Sequence, residues 1–216
     1  MINQSIASRA QLTIAGVKRV HGRATLTLSS GETLFMPRAM LRERPYRGAM
    51  PFDRASFDAF LTERSYAFAM DKAISLLASR SRTEKEIEDA LRRNAYPEQA
   101  IARVMARLVD AGYIDDADFA EHWTVSRVNK GLGARRIRME LRKKGVAQKR
   151  IDEALSAIDM EELLSGAIKT AEKAARGKDL SSPSDRQKVL AALARRGYDF
   201  SVARNALQHL IDQSEL

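Results

Sequence analysis

The sequence predicts a mainly α protein built from tandem three-helix repeats. Three copies, helix-turn-helix-like in geometry, form an elongated curved module behind a small N-terminal three-stranded β extension. Three observations predict it. The phrases LRRNAY (91–96), LRKKGV (141–146) and LARRGY (193–198) recur about 50 residues apart. From about Tyr66 onward the apolar residues follow helical spacing, whereas residues 11–37 hold the stretch ATLTLSS, which alternates with period two.

The β extension comes first. Alternation in ATLTLSS and the turn signal SSGET before LFM place strands at about 11–20, 23–29 and 33–37. Three strands with one apolar face are stable when a helix covers that face. The segment RERPYRGAMPFD follows as a loop, broken by Pro45, Gly48 and Pro51. Asp53 is a good N-cap for a helix through FDAFLTERS.

The repeats align without a gap over 22 positions when Ile87, Ile137 and Val189 are set at offset zero. Offset four then holds Leu91, Leu141 and Leu193, and offset nine holds Tyr96, Val146 and Tyr198. Offset fourteen holds Ile101, Ile151 and Ala203; offset eighteen, Met105, Leu155 and Leu207; offset twenty-one, Leu108, Ile158 and Leu210. Offsets zero and four share one helical face, and offsets fourteen, eighteen and twenty-one share a face of the next helix. Between them, offset eight holds Ala95, Gly145 and Gly197. A Gly there ends a helix in the left-handed conformation, after which the residue at offset nine packs back. The first copy has Ala, so Asn94 is expected to supply the left-handed residue, with Pro97 in the first turn of the next helix.

A further helix precedes each pair, at 65–80, 116–130 and 160–176. The first joint, SRTEKE, offers a capping box of Thr83 and Glu86. The second joint is GLGA. The third, GKDLSSPSD, is the most polar and is expected to be a mobile linker. The expected divisions are 1–50 (β extension and loop), 51–116 (linking helix and repeat 1), 117–159 (repeat 2) and 160–216 (repeat 3). Such units bury little alone and are stabilised by stacking on neighbours.

Composition narrows the function classes. The chain has no Cys, which excludes disulfides, thiolate metal sites and Cys nucleophiles and fits a reducing compartment. The opening residues lack the apolar run of a signal peptide, and no apolar stretch approaches the roughly 20 residues of a membrane span, so a cytoplasmic protein is expected. The net charge of +9 favours a polyanionic partner. It is concentrated in residues 127–150, which hold ten basic residues and a single acid, Glu140.

Within that segment the candidate contacts are Arg127, Lys130, Arg135, Arg136, Arg138, Arg142, Lys143 and Lys144. Arg135, Arg138 and Arg142 share a helical face opposite Ile137 and Leu141, a surface suited to phosphates. Arg80 and Arg82 flank a helix end and are further candidates, although Arg in that place also offsets the helix dipole.

Other motifs are weaker. GLGA before a helix has the look of a phosphate-binding loop but lacks the third Gly and the preceding strand of a dinucleotide fingerprint. Asp115, Asp116, Asp118 and Glu121 could hold Mg²⁺ as in a nuclease, yet their place at a helix start suits capping better. Phe119 and Trp123, one turn apart, could stack on a base, but a buried helix face is the better expectation. His21, His122 and His209 share no ligand spacing, and no catalytic constellation or cofactor fingerprint is seen.

The runs AISLLASRSRTEKEIEDALRRNAYPEQAIARVMARLVDAGYIDDADFAEHW and GLGARRIRMELRKKGV resemble the RecX family, over roughly residues 66–212. The pairing of GYIDD-x-x-FA with G-x-x-RI-x-x-EL-x-x-KG is the specific part of the likeness. The resemblance implies a regulator of the RecA recombinase with no enzymatic activity and no cofactor. Members bind in the groove of the RecA–DNA filament and oppose filament growth, ATP hydrolysis, strand exchange and co-protease function in DNA repair and the SOS response. Some bind single- or double-stranded DNA directly. A monomer acting away from membranes is expected. The alternative is a helix-turn-helix transcription regulator, which would need base-reading side chains on a third helix; PEQAIARVMARL, AQKRIDEALSAI and FSVARNALQHL are not strongly basic.

Overall fold

The computed structural model describes residues 11–214; residues 1–10, where no leader is expected from the sequence, lie outside the described residues. The described residues divide into two compact units. One comprises residues up to 82 together with 86–113; the other comprises 83–85 and 114 onward.

The first unit opens with an antiparallel sheet of β1 (Ile14–Val20), β2 (Arg23–Leu28) and β3 (Thr33–Pro37), in the order β1-β2-β3. Alternation does what the sequence predicts: Ala24, Leu26, Leu28, Leu34 and Met36 are buried on one face. A short 3-10 turn (Arg38–Arg42) and helix α1 (Arg54–Ser79) cover that face, with Phe57 joining Tyr46 and Phe52 in an aromatic cluster. Asp53 caps α1 as predicted, its carboxylate accepting the Ser56 N–H at 2.9 Å. The sequence suggests two helices here, one through FDAFLTERS and one at 65–80. The structure has a single helix of 26 residues, because nothing between Thr62 and Tyr66 breaks the backbone. Helices α2 (Glu84–Arg93) and α3 (Glu98–Asp110) complete the first repeat.

The second unit contains α4 (Asp116–Val128), α5 (Ala134–Lys143), α6 (Gln148–Ser156), α7 (Met160–Ala175), α8 (Pro183–Arg196) and α9 (Phe200–Ser214). Two cores form in sequence order. Phe119, Ile137, Leu141, Val146 and Ile151 make one; Leu163, Ala167, Val189, Leu193, Tyr198 and Leu207 make the other. The joint GKDLSSPSD is tied down by hydrogen bonds. Asp179 accepts the Ser181 N–H and hydroxyl, and Asp185 accepts the Asp179 N–H.

The recurring phrase is one turn repeated three times. Tyr96, Val146 and Tyr198 each donate their N–H to the carbonyl five residues back, on Leu91, Leu141 and Leu193. The N–H groups of Ala95, Gly145 and Gly197 bond to Arg92, Arg142 and Ala194. This pair of bonds is a Schellman cap, which satisfies the last free carbonyls of a helix and aims the following apolar residue back at it. The left-handed residue is at offset eight in every copy, including Ala95 at φ 63°. Asn94 does not take that conformation, contrary to expectation. Its side-chain amide is used to bond the Ala90 carbonyl at 2.6 Å, and Gly22 packs against it so closely that a Cβ at 22 would lie 1.9 Å from Asn94 Oδ1. Pro97 stands at the N-cap of α3, one residue before its expected place.

Candidate functional site

The basic segment folds as the C-terminal turn of α4, the GLGA joint and α5. In GLGA, Gly131 at φ 69° caps α4, with the Leu132 N–H returning to the Arg127 carbonyl. Gly133 meets backbone directly, since a Cβ there would lie 2.3 Å from Gly197 C and O. The N–H groups of Gly133 and Arg135 donate to the carbonyls of Arg196 and Gly197, both at 3.0 Å. A phosphate-binding loop needs such donors free for the ligand. Here they join the α5 entry to the turn after α8, so GLGA is a structural joint.

Burial of Ile137 and Leu141 turns the other side of α5 outward. Arg138 bonds Asp152 at 3.1 Å, Gln148 bonds the same carboxylate, and Arg142 places two N–H groups on Gln148 Oε1 at 2.9 and 2.7 Å. Arg138, Gln148 and Arg142 are therefore neighbours on one face, as the i, i+3, i+7 spacing predicts. Arg135 sits 3.7 Å from Asp199 with 71% of its side chain exposed. The face is less charged than a count of arginines suggests. Arg138 is paired, Arg142 has a neutral partner, and Lys143 is exposed.

Arg127, Arg136 and Lys144 belong to a different cluster around Glu140 and Trp123. Glu140 accepts Arg127 Nε at 2.7 Å, Trp123 Nε1 at 3.2 Å and Arg136 Nε at 3.4 Å. Burial pushes the Glu140 carboxyl up, but the bond and charge of Arg127, with Trp123 and Arg136, outweigh it and hold the pKa below its ordinary value. Trp123 stacks on buried Phe119 with centroids 5.5 Å apart. The Arg127 guanidinium lies 3.8 Å from the indole centroid and the Lys144 ammonium 4.2 Å. The aromatic pair is thus packed against the repeat and clothed in cations, in keeping with the buried-face reading for Phe119; Trp123 is half-buried.

Lys130, at the end of α4, is exposed and lines a cleft of about 880 Å³ between the α4 terminus, α7 and α8. The cleft also takes in Lys169, Lys173, Arg195 and Arg196, with Asp159, Glu161 and Glu162 at the α7 N-terminus. Arg196 already reaches the Lys130 carbonyl at 3.4 Å. Sequence reasoning misses these third-repeat cations because they are spread over two helices in a stretch of low net charge. Only the spacing Lys169–Lys173, one helical turn, hints at them.

In the first unit, Arg80 forms two 3.1 Å bonds to the Glu86 carboxylate. Arg82 turns back on α1, donating to the Leu76 carbonyl at 3.0 Å, and burial, then the like charge of Arg80, lowers its pKa. Both are engaged at the α1 C-terminus, where cations complement the helix dipole. Among the acids, Asp115 caps α4 by accepting the Ala117 and Asp118 N–H groups, and Asp116 accepts the Glu84 N–H. Among the described residues no group of three His, Asp or Glu is placed to hold a metal, and no helix is long and apolar enough to cross a membrane.

Comparison with known proteins places this geometry. Family models match the RecX first three-helix domain over residues 69–108, the second over 115–155 and the third over 161–207. A regulatory protein RecX of Mycolicibacterium vanbaalenii is 42% identical over 143 residues, 60% of this chain and 75% of that protein. One from Levilactobacillus brevis is 30% identical over 203 residues, 93% of this chain and 76% of that one. Among solved structures, RecX from Lactobacillus salivarius superposes with a TM-score of 0.64 at 25% identity, covering 68% of this chain and 96% of that one. A second, a regulatory protein RecX, has a TM-score of 0.62 at 24% identity, over 89% of this chain and 97% of that one, and speaks to the fold alone. With three successive domains matched and the relatives named as regulatory proteins, the chain belongs to the RecX family.

Proposed function

We propose that this chain is a regulator that binds RecA and RecA–DNA filaments and opposes their growth, ATP hydrolysis, strand exchange and co-protease activity during DNA repair and the SOS response. It acts in the cytoplasm as a monomer and performs no chemistry of its own. The observation that carries the reading is the match of all three helical domains, in order, to the family whose members are named regulatory proteins. The physical character of the second unit supports it. The outward side of α5 offers Arg135, Arg142 and Lys143, and Lys130 opens onto a cleft that holds four more cations. A surface of this kind suits a partner that displays phosphates and carboxylates, and its contacts weaken as salt rises.

The test is RecA ATPase on single-stranded DNA with the full chain added below stoichiometry. Inhibition that fades with added salt is expected. An unchanged ATPase rate at every salt concentration overturns the proposal.

A further inference from the structure

The solvent face of the N-terminal sheet has a composition that its packing role does not explain. The strand register sets Lys18, Thr25 and Phe35 side by side across the three strands, with Arg23 one step along from Thr25 on β2. Phe35 is 48% exposed in the middle of β3, where the outward residues beside it are threonines, Thr33 along the strand and Thr25 and Thr27 on β2. Lys18 and Arg23 are exposed, and among the described residues neither makes an ion pair. The Arg23 guanidinium stands 5.1 Å from the Phe35 ring centroid. No Asp or Glu occurs between residues 11 and 31, and the next acid, Glu32, is bound to Arg54.

A lone exposed apolar side chain is ordinary. An aromatic ring raised above low threonines, with Arg23 over it and Lys18 across the row, is a different surface. Its flat ring can stack on a base, its cations can meet phosphates on either side, and none of its three strands carries a carboxylate to repel a polyanion. Two strand spacings put Lys18 about 10 Å from Phe35, so one nucleotide can engage both ends of the row. Bases stacked inside a duplex cannot offer a face to the ring.

We propose that this sheet face is a binding platform for single-stranded nucleic acid, in which a base stacks on Phe35 and the flanking phosphates are held by Lys18 and Arg23. The platform lies wholly within the first unit and does not depend on the RecA reading. The test therefore contains no RecA. It measures the anisotropy of labelled oligothymidylate, and of a labelled duplex, with the full chain carrying Arg135→Ala, Arg138→Ala and Arg142→Ala so that α5 does not dominate.

In that background Phe35→Ala and Phe35→Leu should each weaken oligothymidylate binding roughly 10-fold, and Phe35→Trp should preserve it. Lys18→Ala with Arg23→Ala should lower the slope of log affinity against log salt by about 1.4, whereas Phe35→Ala leaves that slope unchanged. Phe35→Leu keeps an apolar side chain, so its contrast with Phe35→Trp separates stacking from any failure to fold. Equal affinities for Leu and Trp at position 35 overturn the proposal. So does an equal weakening on duplex, or a dimer that Phe35→Ala converts to monomer in sedimentation while oligothymidylate affinity stays constant, which would make the face a contact with a second copy.

Discussion

Replacing Glu140 by Gln should destabilise the second repeat by about 2 kcal/mol. Its carboxylate receives three donors, the shortest from Arg127 at 2.7 Å, and the Arg127 and Glu140 side chains are only 19% and 23% exposed. An exposed pair contributes about 0–1 kcal/mol, and breaking a fully buried one costs about 3–5 kcal/mol. This pair lies between, and Gln can still accept one hydrogen bond while leaving the Arg127 charge unanswered. Urea unfolding followed by fluorescence is the assay, because Trp123 is the only tryptophan and sits in the cluster. A double-mutant cycle with Arg127→Met isolates the pair, with an expected coupling of about 1–2 kcal/mol. The same residue sets an acid dependence. Since the folded-state pKa lies below the ordinary 4.5, the stabilisation is present above that value and is lost as pH falls through the lowered one. Wild type should therefore lose more stability than Glu140→Gln below about pH 4.5. A coupling indistinguishable from zero, or identical acid profiles, refutes the reasoning.

Ala95→Gly should stabilise the first unit by about 1 kcal/mol in thermal or chemical unfolding, since a left-handed Ala is strained where Gly is not. Gly197→Ala should destabilise the second unit by about 3 kcal/mol or more, because the new Cβ would lie 2.4 Å from Arg136 N and Cβ at φ 89°. Tyr96 donates its hydroxyl to the Phe68 carbonyl, and burial, with the charge of Asp71, pushes its pKa up to about 12. The unfolded chain releases that proton near pH 10 and the folded chain does not. Stability should therefore fall between about pH 10 and 12 by something on the order of 2 kcal/mol, and Tyr96→Phe should flatten that fall.

Much of the fold is legible because it is written locally. Helix pairs, their buried columns and the offset-eight turn each depend on residues within one or two turns of each other, so periodicity and a Gly reveal them. The misreadings involve distant partners. From its neighbours alone Asn94 reads as the left-handed residue, but its amide is taken by the Ala90 carbonyl and Gly22, from the sheet, lies against it. GLGA resembles a phosphate loop because nothing nearby in sequence announces that its N–H groups pair with Arg196 and Gly197. Composition reveals the basic segment but not its effective charge. Arg136 and Glu140 are one turn apart and can be paired by eye, whereas Arg127 reaches Glu140 from 13 residues away and Arg135 faces Asp199 from another repeat. The cleft cations are gathered only when α7 and α8 pack.

The central claim, that the second repeat engages a RecA–DNA filament through α5, is tested most directly by comparing two variants as inhibitors of RecA ATPase on single-stranded DNA. Arg135→Ala, Arg138→Ala and Arg142→Ala together remove the outward arginines of α5. Arg195→Ala with Arg196→Ala removes two cleft cations, one of which already reaches the Lys130 carbonyl. The account predicts that the triple variant needs about 5- to 30-fold more protein for half-inhibition, at roughly 0.5–1 kcal/mol for each of the exposed Arg135 and Arg142, with paired Arg138 adding less, and that the double variant shifts less. Equal shifts, or a larger one for the double variant, would contradict it and move the binding surface to the cleft.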